Sequence, residues 1–177
     1  QETAKGTGCT VKGVCGKEAS TSNYQDLLLG VVRGVATIDR AIRKAGFQSV
    51  PKVDTFFVDA LFATITNANF DNASILRKVD KGIALKKQLL EIAEKNGVQL
   101  PAYHEILWGG EKVDYDAQSL RESVLRNENE DLRSLKELVV LGLKGMAAYY
   151  EHASRLGYTD TTITDFMGDA LAIIANP

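Results

Sequence analysis

The chain is poor in the residues that mark several specialised classes of protein. Its 177 residues include two cysteines, three prolines and two histidines. Two cysteines are too few to staple a secreted scaffold of this length. No apolar run reaches the roughly eighteen residues of a membrane-spanning helix, and the polar first residues carry no apolar signal core. A formal net charge of −2 offers no basic surface to nucleic acid or to an anionic membrane. We therefore expect a soluble globular protein with neither kind of partner.

Helical periodicity fills the segments between the prolines. Apolar residues recur every three or four positions, and this spacing predicts amphipathic helices. The ranges with this pattern are 24–45, 52–66, 72–96, 129–156 and 161–175. For the first helix, we expect an N-cap among residues 21–23 and Gly46 just past the C-terminal end. No useful stretch alternates apolar and polar residues as a strand does. The predicted fold class is all-α.

Two parts of the chain resemble each other. DLLLGVVRGVATIDRAIRKAGF (26–47) aligns without a gap with ELVVLGLKGMAAYYEHASRLGY (137–158), and FFVDAL then aligns with FMGDAL after a one-residue shift. Such self-similarity predicts a duplicated three-helix bundle, the second copy lacking its last helix. The alignment pairs Gly34 with Gly145. A glycine inside a helix costs about 1 kcal/mol relative to alanine, so we expect another helix to approach closely at both positions.

This repeat suggests a division of the chain into three parts. We expect a Gly/Cys-rich loop over 1–22, a first bundle with a connecting segment over 23–128, and an incomplete second bundle over 129–177. The apolar stripes of the second bundle would then lack a cover, and we expect the fragment to form a homodimer through them. The stripes comprise Leu138, Leu141, Met146, Tyr149, Phe166, Leu171 and Ile174.

Both cysteines, Cys9 and Cys15, fall in the glycine-rich stretch GTGCTVKGVCGKEA (6–19). A disulfide would close a small loop, but nothing indicates export. A zinc site needs two more ligands, and His104 and His152 lack a paired spacing. A catalytic thiol needs a base, and none is evident. Glycines let thiolates and backbone amides approach a bulky iron–sulfur cluster, although a cubane cluster takes four thiolates. The spacing alone leaves a cluster and a structural pair of thiols as open alternatives.

The same stretch resembles a known family. QETAKGTGCTVKGVCGKEASTSNYQDLLL is similar to the N-terminal segment of the hybrid-cluster proteins, also called prismane proteins or hydroxylamine reductases. In that family, a Met-Phe-Cys-x-x-Cys stretch is followed directly by QET and then by G-x-G-C. Five residues separate this motif from C-G-K, and a leucine-rich helix follows. TITNANFD (64–71), NEDLRSLKELVVLGLKGMAAYYEHA (129–153) and LGY (156–158) extend the resemblance over essentially the whole chain.

The resemblance implies a role for the two cysteines. In the family, four N-terminal cysteines bind a 4Fe–4S cluster, or a 2Fe–2S cluster in some members. Cys9 and Cys15 match the third and fourth ligands, and the first two would stand just before Gln1. We therefore expect this chain to be a piece of a longer protein, and we expect it to hold no stable cluster by itself.

The resemblance also implies an activity for the parent protein. It would be a cytoplasmic oxidoreductase that reduces hydroxylamine to ammonia with electrons from an external donor. Two α/β domains, absent here, would hold the hybrid iron–sulfur–oxygen cluster, so this helical piece would contain no catalytic residue and would be inactive alone. The alternative is a non-enzymatic helical association module whose two cysteines bind no metal. Other candidate residues are better explained as structural: His104, His152, Trp108, Asp59 and Asp169.

Overall fold

Helices account for most of the chain. The computed structural model describes residues 8–9 and 12–176. Its α-helices are α1 (Ala19–Lys44), α2 (Val53–Ala63), α3 (Asn72–Lys95), α4 (His104–Leu107), α5 (Tyr115–Arg121), α6 (Glu130–Arg155) and α7 (Thr161–Ile174), with short 3-10 turns at Lys112–Asp114 and Val124–Arg126. Within the described residues, extended pairing is limited to a single bridge between Lys12 and Glu18. The all-α prediction is confirmed.

Side-chain caps explain where several helices begin. Carboxylate or amide oxygens of Asp71, Asn129 and Asp160 accept hydrogen bonds from the first-turn amides of α3, α6 and α7. The predicted start of α1 is wrong, because this helix begins at Ala19 after Glu18, whose side chain makes no capping bond. Thr21 is instead buried inside the helix, where its hydroxyl donates to Asn72 Oδ1 at 2.7 Å. A tertiary contact with α3 thus extends the helix beyond its periodic part.

Helix α1 lies at the centre of the fold. It packs against α3 and α7 and also contacts α2, α4 and α5. Helix α6 packs mainly on α2, and α7 lies along α1 and α2. A helix that is covered on most sides needs apolar residues around most of its circumference, as α1 has. The largest fully buried apolar side chains of the core are Phe56, Phe57, Leu27, Leu28, Ile38, Ile42, Leu61, Ile75, Leu89, Leu143 and Met167.

Gly34 and Gly145, paired by the repeat, have different surroundings. A Cβ on Gly34 would lie deep inside van der Waals contact with the carbonyl oxygen of Glu105 and 3.0 Å from its carbonyl carbon. The expectation of close packing is therefore confirmed at Gly34, where α4 approaches. It is wrong at Gly145, where a Cβ would meet no described atom within 4 Å. The difference arises because α1 is central in the fold whereas α6 is peripheral.

The expected apolar stripe of the second half divides into exposed residues, buried residues and the half-buried Met146. Leu138, Leu141, Tyr149 and Phe166 are exposed, at 66%, 62%, 83% and 56% of their surface. Leu171 and Ile174 are buried, because α7 packs against α1 and α2. The uncovered apolar surface therefore lies chiefly along α6.

Ion pairs link the helices around this core. Arg40 on α1 donates to Asp165 Oδ1 on α7 at 2.9 Å and lies 3.8 Å from Asp169 Oδ1. Lys78 on α3 donates to Asp59 Oδ1 on α2 at 2.6 Å. The structural interpretation of Asp59, as a residue whose hydrogen bond joins two helices, is confirmed, whereas Asp169 lies only within ion-pair distance of Arg40. No helix in the described ranges is long and apolar enough to cross a membrane.

Candidate metal centre

The loop that precedes α1 is closed by its own backbone. The Gly13 amide donates to the Lys17 carbonyl at 2.8 Å, and the Gly16 amide donates to the Gly13 carbonyl at 2.9 Å. Gly16 has φ +89°, a left-handed conformation that residues with a Cβ rarely adopt. The bridge between Lys12 and Glu18 then leads directly into the first turn of α1. This arrangement fixes Cys15 at the tip of a tight turn anchored to the central helix.

The two cysteine sulfur atoms converge on one point of this loop. A Cβ on Gly13 would lie 3.2 Å from Cys15 Sγ and 3.3 Å from Cys9 Sγ. Any residue larger than glycine would therefore occupy the space between the two thiols. No disulfide joins them, and both residues are half-buried. The donor set and the space that Gly13 leaves open fit two ligands of an iron–sulfur cluster, although not a complete ligand set.

The TITNANFD segment (64–71), which also carries the family resemblance, lies against this loop. Phe70, in the TITNANFD stretch, lies 4.0 Å from the Cβ position of Gly16. The carbonyl oxygen of Asn69 accepts a hydrogen bond from Gln25 Nε2 at 3.4 Å. Sequence reasoning identified the cysteines and this stretch as separate parts of one resemblance. The structure places them side by side.

Lys17 is a site residue that sequence reasoning missed. Its side chain is buried, and its ammonium donates to Gln25 Oε1 at 3.0 Å and to the Ile65 carbonyl oxygen at 3.5 Å. The Phe70 ring centroid lies 5.8 Å from the same nitrogen. Burial lowers the pKa of Lys17, whereas Cys15 and Cys9 act on it in the opposite direction. In the sequence, Lys17 stands in the C-G-K motif, but lysine is usually exposed, and the motif alone does not predict that its side chain is buried.

The histidines lie in other surroundings. His104 Nε2 is 2.8 Å from Gln118 Oε1, and His152 is exposed with its ring edge against Phe62. Trp108 packs edge-on against Tyr115, as expected of a residue that anchors its loop. Across residues 8–9 and 12–176, no group of three or more His, Cys, Asp or Glu side chains is placed to hold a metal ion. The described residues thus provide two sulfur ligands at one place and no additional metal centre.

A cavity of about 440 Å³ lies between α1, α6 and the segment that joins α5 to α6. Arg33 donates to Glu122 Oε2 at 2.7 Å on its wall, and Gln118 donates to Glu122 Oε1 at 2.7 Å. Burial raises the pKa of Asp26, which also lines the cavity, to about 7. Asp26 Oδ2 and Arg33 Nε are buried and make no hydrogen bond within the described part of the chain. The cavity wall carries both signs of charge, and its charged groups partly neutralise each other.

Comparisons with known proteins assign the chain to a family. Residues 2–176 match the model of the Prismane/CO dehydrogenase family, and the chain belongs to this family. It is 52% identical over 172 residues to a hydroxylamine reductase of Bacteroides thetaiotaomicron, covering 97% of this chain and 31% of that protein. It is 49% identical over 175 residues to a hydroxylamine reductase of Desulfitobacterium hafniense, covering 97% of this chain and 32% of that protein. The chain thus spans about a third of the length of the curated relatives it matches.

Proposed function

We propose that this chain is the N-terminal helical part of a hydroxylamine reductase and that it holds part of an iron–sulfur electron-transfer site. The observation that carries the proposal is the convergence of Cys9 Sγ and Cys15 Sγ on the space beside Gly13. Membership of the Prismane/CO dehydrogenase family and the names of the relatives support the assignment. The helices would form a scaffold against which α/β domains of the parent chain pack, in a cytoplasmic enzyme.

The chemistry of the reaction explains the need for such a site. Hydroxylamine takes up two electrons and two protons, its N–O bond breaks, and ammonia and water are released. An iron–sulfur cluster, when bound, transfers electrons one at a time. Cys9 and Cys15 would act as two of its thiolate ligands, for a 4Fe–4S or a 2Fe–2S cluster, and an external donor would supply the electrons. The hybrid iron–sulfur–oxygen cluster and the reducing chemistry would belong to other parts of the parent protein.

The experiment compares cysteine variants of the full-length protein, prepared without oxygen. We expect Cys9→Ser and Cys15→Ser each to lower the iron and acid-labile sulfide content by about one cluster, because losing one thiolate ligand weakens cluster binding strongly. Val14→Ser is the matched control: it changes a side chain between the two cysteines that is 95% exposed, so cluster content should not change. Full iron and sulfide content in both cysteine variants would contradict the proposal.

A second candidate function is helix-mediated association without metal. The exposed apolar residues of α6 favour it, since large uncovered apolar patches mark interaction surfaces. On this hypothesis the 177-residue chain forms a homodimer through α6, and its cysteines bind no metal. The loss of iron and sulfide on Cys9→Ser and Cys15→Ser in the full-length protein separates the two candidates, because only the first requires a cluster at these residues.

A further inference from the structure

Lys17 is a buried cation in the same loop as the two cysteines, two residues after Cys15. The side chain is 6% exposed, and its hydrogen-bond acceptors are a side-chain amide and a backbone carbonyl. Within the described ranges, no carboxylate lies within ion-pair distance of its ammonium. Buried charges normally have a partner of opposite sign, because desolvation penalises an isolated charge heavily.

Two other lysines, the buried Lys86 and the half-buried Lys144, also donate to backbone carbonyls, but carboxylates are among the charges that act on them. The negative charges that act on Lys86 are those of Glu122 and Glu105. Those that act on Lys144 are the carboxylates of Asp26 and Glu137. For Lys17, the groups that act on the ammonium in this direction are Cys15 and Cys9. The natural counter-charge of this ammonium is therefore whatever anionic group Cys9 and Cys15 carry.

The surroundings hold the ammonium in this position. The backbone carbonyl of Lys17 closes the turn by accepting a hydrogen bond from the Gly13 amide. This oxygen lies 3.8 Å from the Cβ position of Gly13, which is also close to both sulfur atoms. Gln25 fixes the nitrogen from α1, and the face of Phe70 covers it. Little water reaches the side chain, so its field is weakly screened compared with that of the exposed Lys12.

We infer that Lys17 is the fixed counter-charge of the iron–sulfur group held by Cys9 and Cys15, and that it raises the reduction potential of this group. The inference rests on the proposed function. An added electron makes the group more negative, and a nearby buried cation stabilises the reduced form more than the oxidised form. Lys17 does not bind iron; it sets the electrostatic environment of the ligands.

A purely structural role for Lys17 must be separated from this one. Its ammonium also contacts a carbonyl just beyond the C-terminal end of α2, where a positive charge is favourable. Lys144 provides a matched control, because it is a half-buried lysine that donates to the Thr64 carbonyl oxygen at 3.1 Å, one residue earlier. Lys144→Met should therefore disturb the same end of α2 without removing a charge beside the sulfur atoms.

The test is a redox titration of the full-length protein followed by electron paramagnetic resonance. The relevant signal is the one that Cys9→Ser abolishes. We expect Lys17→Met to shift its midpoint potential to more negative values, Lys17→Arg to restore it, and Lys144→Met to leave it unchanged. Loss of the signal in Lys17→Met alone, with retention in Lys17→Arg and Lys144→Met, would equally support the counter-charge.

Two results would overturn the inference. One is an unchanged midpoint potential in Lys17→Met with full cluster content. The other is the same shift, or the same loss of signal, in Lys17→Met and Lys144→Met, which would indicate a structural effect at the end of α2. If Cys9→Ser abolishes no signal, the proposed function itself fails, whatever the lysine variants show.

Discussion

Replacing Gly34 with alanine should lower the stability of the fold, whereas the same substitution at the aligned Gly145 should raise it. Gly34 and Gly145 occupy matching places in the two similar segments, and both lie inside long helices. Alanine in a helix is favoured over glycine by about 1 kcal/mol when nothing else changes. With no described atom within 4 Å of a Cβ on Gly145, Gly145→Ala should receive that gain in full.

At Gly34 the same gain is outweighed by a clash with backbone. The new methyl group would overlap the carbonyl group of Glu105, which cannot rotate aside as a side chain can. That segment is also held in place, because Lys86 Nζ donates to the Glu105 carbonyl at 3.1 Å and to the Trp108 carbonyl. Overpacking of this kind costs typically about 1–3 kcal/mol, and a fixed neighbour places Gly34→Ala near the upper end. We expect a net loss of roughly 1–2 kcal/mol at Gly34, and stabilities roughly 2–3 kcal/mol apart for the two variants.

Urea unfolding of the 177-residue chain, followed by circular dichroism at 222 nm, measures the difference. Unchanged slopes in both variants would show that the substitutions alter stability without altering the surface exposed on unfolding. Equal stabilisation by both substitutions would refute the close approach of α4 to α1. Destabilisation by Gly145→Ala would show that another surface covers this face of α6 in solution.

Three further substitutions test burial and charge. Burial raises the pKa of Asp26 to about 7 from 3.8, so the folded protein binds the extra proton and its stability should fall as pH rises between these values. Asp26→Asn should flatten that pH dependence and increase stability at pH 8 by roughly 2 kcal/mol in urea unfolding, whereas an unchanged profile would contradict the burial argument. Leu138 is 66% exposed, so Leu138→Glu should alter stability by less than about 0.5 kcal/mol while weakening any self-association seen by sedimentation. Leu171 is fully buried, so Leu171→Glu should unfold the chain; a folded variant would show that α7 is not part of the core.

Sequence periodicity located the long helices well because each has a continuous apolar side. The predicted range 72–96 differs from α3 by one residue, and 129–156 from α6 by one at each end. The segment over 101–125 was not resolved into elements, since its short helices are held by distant contacts such as the hydrogen bond between Tyr115 and Asp80. The three-part division of the chain stays a prediction.

The candidate site was predictable only in the residues that carry distinctive chemistry. Two cysteines among glycines mark a candidate metal or redox site without any knowledge of the fold, although they leave a structural pair of thiols as an alternative. Lys17 and Phe70 are common residue types, and their proximity depends on how the 64–71 segment folds back onto the loop before α1. The cavity beside Asp26 was missed for the same reason, because its wall combines α1 with residues about a hundred positions later.

Helix α2 connects the second half of the chain to the cysteine loop. The carbonyl groups at its C-terminal end carry partial negative charge. The Ile65 carbonyl accepts a hydrogen bond from the Lys17 ammonium, and the Thr64 carbonyl accepts one from the Lys144 ammonium. The positive charges of the two lysines act on each other. Only Lys17 lies beside the sulfur atoms, so Lys144→Met removes no charge there. The position aligned with Lys144 in the first segment is Arg33, which pairs with Glu122 instead. The two similar segments thus carry a half-buried cation at the aligned position, and the different neighbours determine what each cation stabilises.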